Sequence, residues 1–249
     1  VELIGELAPR YFLMENVPGI RGKRGRKVFD DAVRLAEQHG YYIHSALLDA
    51  QDFGVPQRRK RLFVVGERMD LGWPKYAFPK VESQAARATV RQAIGHLPEP
   101  PEDGSDHPRY PHHRRDRLSE KNLRRLRALR AGQGMEHLPD DLLADCHRLG
   151  ADVIGHRNVY GRMEWDSVAP TITARFDSFT RGKFGHPVQD RSISLREGAL
   201  LQSFPEDFLF AGSKVEVARQ IGNAVPPRLA KEMGQSLIAC DRLKDPGNA

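Results

Sequence analysis

Cysteine is scarce: the 249 residues hold only Cys146 and Cys240, far apart in sequence. Two such thiols cannot build a disulfide framework, and a reducing compartment fits them. Long apolar runs are missing too. None approaches the ~20 residues that a membrane-spanning helix needs, so a soluble chain with no membrane partner is expected. No charged-then-apolar leader opens the sequence, which argues against secretion. A metal-ligand pattern is also lacking. His112, His113, His137, His147 and His156, with Cys146, fall at spacings that match no paired-ligand arrangement, and no metal site is expected. Acidic residues are the minority, 33 against 39 basic ones, and the net charge of +6 favours a polyanionic partner without bearing on the fold. The length allows one large domain or two small ones.

What is present is organised around Tyr11-Phe12-Leu13-Met14-Glu15-Asn16-Val17-Pro18-Gly19. A short, aromatic-rich apolar run closed by turn residues reads as a buried strand. Glu15 then sits at the carboxyl end of that strand, the rim where ligands bind in open α/β sheets. A carboxylate there is partly desolvated and able to carry or share a proton. Equally, Glu15 could cap the following loop.

Residues 28–39 place Phe29, Ala32, Val33 and Ala36 on one helical face, with Gly40 as the stop. Before them lies the basic, glycine-punctuated stretch Arg21-Gly22-Lys23-Arg24-Gly25-Arg26-Lys27, either a solvated turn or a grip on a phosphate backbone. Tyr41 to Leu48 reads as a strand, Asp49 to Pro56 as a loop, and Arg61 to Gly66 as another buried strand. Gln57-Arg58-Arg59-Lys60-Arg61 leads straight into that strand. Alternation predicts Arg59 and Arg61 on one face and Lys60 on the other. Inward-facing arginines need anionic partners, which makes Arg59 and Arg61 site candidates.

Prolines crowd the region from Trp73 to about His113, a boundary with one short helix near 89–97. Leu118 to Arg130 reads as a basic helix capped by Ser119. Its Leu123, Leu126 and Leu129 or Arg130 form the buried stripe, and Lys121, Arg124, Arg125 and Arg127 look outward. Val168 to Phe176 reads as a strand with Thr171, Thr173 and Arg175 on one face, a row suited to phosphate oxygens or merely the polar side of an edge strand. Ser194 and Ser213 open capping-box helices. Gly222-Asn223-Ala224-Val225-Pro226-Pro227 makes a tight turn with an exposed amide ahead of a last helix.

Taken in order, four of these pieces resemble the later motif blocks of the C5-cytosine DNA methyltransferases. They are Phe12-x-x-Glu15-Asn16-Val17, Gln57-Arg58-Arg59-Lys60-Arg61, Ala169-Pro170-Thr171-Ile172-Thr173-Ala174 and Gly222 to Pro227. Gln202-Ser203-Phe204-Pro205 fits as well. The likeness spans the chain except about 75–155, where that family keeps its variable target-recognition region.

The resemblance implies an α/β fold, the C-terminal part of a Rossmann-like S-adenosylmethionine-dependent methyltransferase domain plus a smaller target-recognition domain. Residues 1–76 would belong to the catalytic domain, 77–190 to the recognition domain, and 191–249 would be closing helices that return to the catalytic domain. The implied partner is double-stranded DNA, in a restriction-modification system of the bacterial cytosol or nucleoid. The target cytosine leaves the stack, because its ring is out of reach inside it. Glu15 would bind N4 and protonate or hydrogen-bond N3. Arg61 would stabilise the charge developing at O2, and Arg59 would steady the same site or an adjacent phosphate. Gly222, Asn223 and Ala224 would touch the cofactor. Thr171 and Thr173, with Arg24, Arg58, Arg157, Arg162 and Arg175, would contact DNA.

Two parts of the family pattern are absent: the Phe-x-Gly-x-Gly cofactor loop and the Pro-Cys nucleophile. Cys146 follows Asp145 and Cys240 follows Ala239, so neither matches. Attack at C6 needs a thiolate. The opening Val1 is therefore expected to mark a cut, with the thiol supplied by a missing N-terminal portion of the same chain or a separate subunit. The competing readings are a non-catalytic DNA-binding partner subunit, a tRNA cytosine methyltransferase and a helix-turn-helix regulator.

Overall fold

The computed structural model describes residues 1–81, 87–144 and 159–244, so Cys146, His147, His156 and Arg157 lie outside the described residues. In chain order the elements are α1 Glu2–Leu7, β1 Tyr11–Asn16, α2 Arg26–Gln38, β2 Tyr41–Asp49, β3 Lys60–Arg68, α3 Val90–Ile94, α4 Glu120–Arg127, α5 Leu195–Leu201, α6 Lys214–Asn223 and α7 Pro227–Lys244. They divide into two units. Unit 1 is Val1–Phe53, Lys60–Ala85 and Arg228–Ala249, and unit 2 is Gly54–Arg59 and Ala86–Pro227. These cuts differ from the boundaries expected above: residues 191–227 lie in unit 2, and only the last helix returns to unit 1.

Unit 1 is built on a three-stranded sheet of order β1-β3-β2. Both outer strands run antiparallel to β3, so β1 and β2 point the same way with β3 reversed between them. Strand alternation then sorts the side chains. Phe12, Met14, Leu62 and Val64 share one face and pack with Phe29 and Ala36 of α2, the helical stripe expected from sequence. Gly40, at φ +83°, turns the chain from α2 into β2, a conformation open to glycine at no steric cost.

The opposite face of β3 carries Phe63, Val65 and Glu67, all fully buried. A buried carboxylate needs partners. Glu67 has Lys244 Nζ of α7 at 2.8 Å and His44 Nε2 at 3.0 Å, and it accepts from the Lys75 and Tyr76 amides. Burial alone would raise its pKa. Those hydrogen bonds and the Lys244 charge outweigh it and hold the carboxyl below the usual range.

Unit 2 holds short helices joined by extended segments around Ile94, Ile172, Phe176, Phe184, Leu195, Leu201, Val217 and Ile221. The expected capping boxes form at Ser194 and Ser213, and a further one, not anticipated, opens α3 at Thr89. The expected strand over 168–176 does not form; a lone parallel bridge joins Ala169 to Gln57. Pro170 has no N–H for a ladder, and two residues on the Ile172 amide donates to the Gln57 side chain instead. Arg125 is a further correction. It turns inward from α4, donates to Leu142 O at 2.7 Å and stacks 4.4 Å from the Tyr160 ring centroid. Among the described residues no helix is long and apolar enough to cross a membrane.

Candidate active site

Antiparallel pairing explains why a residue ending β1 meets one opening β3. Glu15 is the cross-strand partner of Phe63, and Arg61 lies two residues earlier on the same face, the diagonal neighbour on that strand. Arg61 Nε stands 2.7 Å from Glu15 Oε1, with the side chains 13% and 24% exposed. The Arg61 guanidinium is the charge partner of this inner oxygen. The rest of the carboxylate is open to solvent. Burial lowers the Arg61 pKa, and the Glu15 charge opposes that shift. The guanidinium also donates to Lys60 O at 2.8 Å, which fixes its plane. The product is a carboxylate steered by a cation, with one oxygen facing outward.

Arg24 is exposed in the turn before α2, within unit 1. The other described candidates belong to unit 2. Arg59 is 1% exposed and donates to Ile172 O and Gly222 O, each at 3.0 Å. Its place is structural support of backbone, so the expected shared face with Arg61 does not make it a substrate-facing group. Arg58 is exposed, while its carbonyl accepts from Thr171 Oγ1 at 2.6 Å. Thr173 is exposed; Arg175 is exposed and pairs with Asp177 at 3.3 Å.

Arg162 departs most from expectation. Its donors reach Leu126 O, Leu129 O, His186 O and Gln189 O and the Asp190 carboxylate, so it is an internal staple with no reach to a phosphate. Gly222 is buried in α6, and the exposed amide beside it is Asn223, with Ala224 half-buried. Cys240 is 2% exposed, and burial pushes its thiol pKa up, the reverse of what a nucleophile needs.

Sequence reasoning passed over two residues. Gln57 and Gln202 are fully buried and hydrogen-bonded to each other at 2.9 Å. The signal was available: both stand inside the motif blocks, and a buried amide needs a partner.

The comparisons with known proteins agree on one family. The sequence matches the C-5 cytosine-specific DNA methylases over residues 1–239. It is 38% identical to the type II methylase M.HgiDII of Herpetosiphon aurantiacus over 94% of this chain and 66% of that protein. It is 32% identical to the type II methyltransferase M.NgoFVII of Neisseria gonorrhoeae over 92% of this chain and 59% of that protein. The chain therefore spans less than two thirds of the length of these relatives. An Escherichia coli prophage protein named as a DNA modification methyltransferase shares the fold, with a TM-score of 0.71 at 22% identity over 96% of this chain and 72% of that one. With nearly the whole sequence matched, the chain belongs to the C-5 cytosine-specific DNA methylase family.

Proposed function

We propose that this chain is the C-terminal part of a DNA cytosine-5 methyltransferase that modifies a cytosine swung out of duplex DNA, in a restriction-modification setting in the bacterial cytosol. One observation carries the reading: Glu15 and Arg61 stand 2.7 Å apart at one end of the sheet with a carboxylate edge open. Glu15 binds the exocyclic N4 and donates or shares a proton at N3, which draws electrons from C6. Arg61 holds Glu15 in place and receives the charge that develops at O2. Arg59 fastens the Ile172 and Gly222 carbonyls within unit 2.

The nucleophilic thiol comes from polypeptide outside this sequence, since Cys240 is buried and no Pro-Cys pair occurs. S-adenosylmethionine, when bound, supplies the methyl group. The fit of this chain to it rests on Asn223, an exposed amide offering a donor and an acceptor, while Gly222 is occupied by internal packing. Arg24, Arg58, Thr173 and Arg175 are exposed and suited to phosphate contact. The stretch 77–190 reads the target sequence. The type II names of the relatives favour DNA over tRNA.

The test is methyl incorporation into duplex DNA and into tRNA by this chain, alone and joined with the early motif blocks of a relative. The chain alone is inactive, the joined enzyme methylates DNA, and Glu15→Ala lowers its turnover about 10²-fold or more. Turnover by the chain alone, or an indifferent Glu15→Ala, overturns the reading.

A further inference from the structure

A run of buried hydrogen bonds ties the later motif blocks together inside unit 2. The Ile172 amide donates to Gln57 Oε1 at 2.8 Å, Gln57 Nε2 donates to Gln202 Oε1 at 2.9 Å, and Gln202 Nε2 donates to Ile221 O at 2.6 Å. Gln57 Nε2 also reaches Leu201 O at 3.3 Å. Arg59 closes the loop by donating to Ile172 O and Gly222 O. The segment 169–174 and the end of α6 are thus fastened at two neighbouring points. They are fastened so closely that Gly222 abuts the Thr173 and Ala174 backbone. Beside that contact Thr173 and Asn223 are both exposed.

We infer that Gln202, acting with Gln57, is a positioning residue: its relay sets the spacing between Thr173, which faces DNA, and Asn223, which faces the cofactor. The inference rests on the function proposed above and deepens it. The direction of the relay matters. Each glutamine must accept on one side and donate on the other, which an apolar side chain of equal volume cannot do.

Gln202→Glu is the discriminating variant. As a neutral carboxyl it reproduces the amide, accepting from Gln57 Nε2 and donating its O–H to Ile221 O. As a carboxylate it only accepts, and it then faces a carbonyl oxygen. Burial favours the neutral form, so the relay holds in mild acid and breaks on the alkaline side.

The experiment uses the full 249-residue chain. It follows hydrogen exchange at the Ile172 amide and affinity for a cytosine-containing duplex at fixed salt, at about pH 5.5 and about pH 8.5, each relative to wild type at the same pH. Gln202→Glu is expected to match wild type in acid. At the higher pH it shows roughly tenfold faster Ile172 exchange and roughly tenfold weaker binding, whereas Gln202→Leu shows both losses at both pH values. A Gln202→Glu protein that equals wild type throughout, or is impaired equally at both pH values, overturns the inference. Exchange that splits with pH while affinity does not makes the relay structural only and also overturns it. Should Gln202→Leu fail to fold, Gln202→Glu in acid remains the folded control. A wild-type chain that does not bind the duplex sinks the DNA reading, while the Ile172 exchange still judges the relay.

Discussion

Gly222 is pressed against Thr173: a Cβ added to it would lie 2.2 Å from the Thr173 carbonyl carbon and 2.3 Å from the Ala174 nitrogen. Both obstacles are backbone, so neither can swing aside. Gly222→Ala must therefore push α6 away from the 169–174 segment and lengthen the Arg59 bond to Gly222 O. The expected cost is about 3 kcal/mol, the upper range for overpacking. Urea unfolding of the chain reads it, and a midpoint equal to wild type would show that the two segments are free to separate.

Arg61→Lys separates charge from geometry. Lysine keeps the cation beside Glu15 but loses the planar fork that also engages Lys60 O. In the enzyme completed with the early motif blocks, turnover is expected to fall about 10²-fold, as for loss of one oriented donor to a developing oxyanion. Duplex affinity should hold within about twofold, because no net charge is lost. Full turnover in the lysine variant would reduce Arg61 to a counter-ion.

Much of this was legible in the sequence. β1, β2, β3 and α2 were readable because alternation and the 3.6-residue stripe are local properties. The capping boxes at Ser194 and Ser213 were readable for the same reason. Glu15 and Arg61 were each identified, but their meeting depends on β3 running against β1, and strand direction is not written in a local pattern. The arginines show the limit most clearly. Arg24, Arg59, Arg125 and Arg162 look alike as letters, yet one is exposed and three hold backbone carbonyls inside the protein. A guanidinium with five donors serves either role, and only tertiary contacts decide which.

Arg24 and Arg162 should therefore separate cleanly on mutation. Arg24→Ala removes an exposed cation, so stability is unchanged and the slope of log affinity against log salt falls by about 1. Arg162→Ala strips donors from four carbonyls and leaves Asp190 without its buried partner, at a cost of about 3 kcal/mol. Its salt slope, measured where the variant is folded, stays that of wild type. A reduced slope for Arg162→Ala would put that side chain on the DNA after all.

Acid sensitivity should centre on a buried cluster in unit 2. Arg191 and Glu197 are each 1% exposed and joined by two 2.7 Å bonds, with His186 Nε2 3.9 Å from the carboxylate. Burial lowers His186 to about 4, against a partial pull upward from Glu197, and burial lowers His113 in the same way. A histidine with a depressed native pKa binds protons more readily when unfolded. Its contribution is complete above about pH 6.5 and is lost as pH falls toward 4, on the order of 3 kcal/mol for His186. Glu197 adds to the same trend lower down. Burial would raise it, but Arg191 and the histidines more than offset that, so its contribution is present above about pH 4.3 and disappears as pH falls through its lowered value. Urea midpoints between pH 7 and pH 4 should therefore decline in wild type and decline less in His186→Phe, which keeps the ring against Trp165 without the titration. Parallel curves for the two proteins would move the acid-labile element elsewhere.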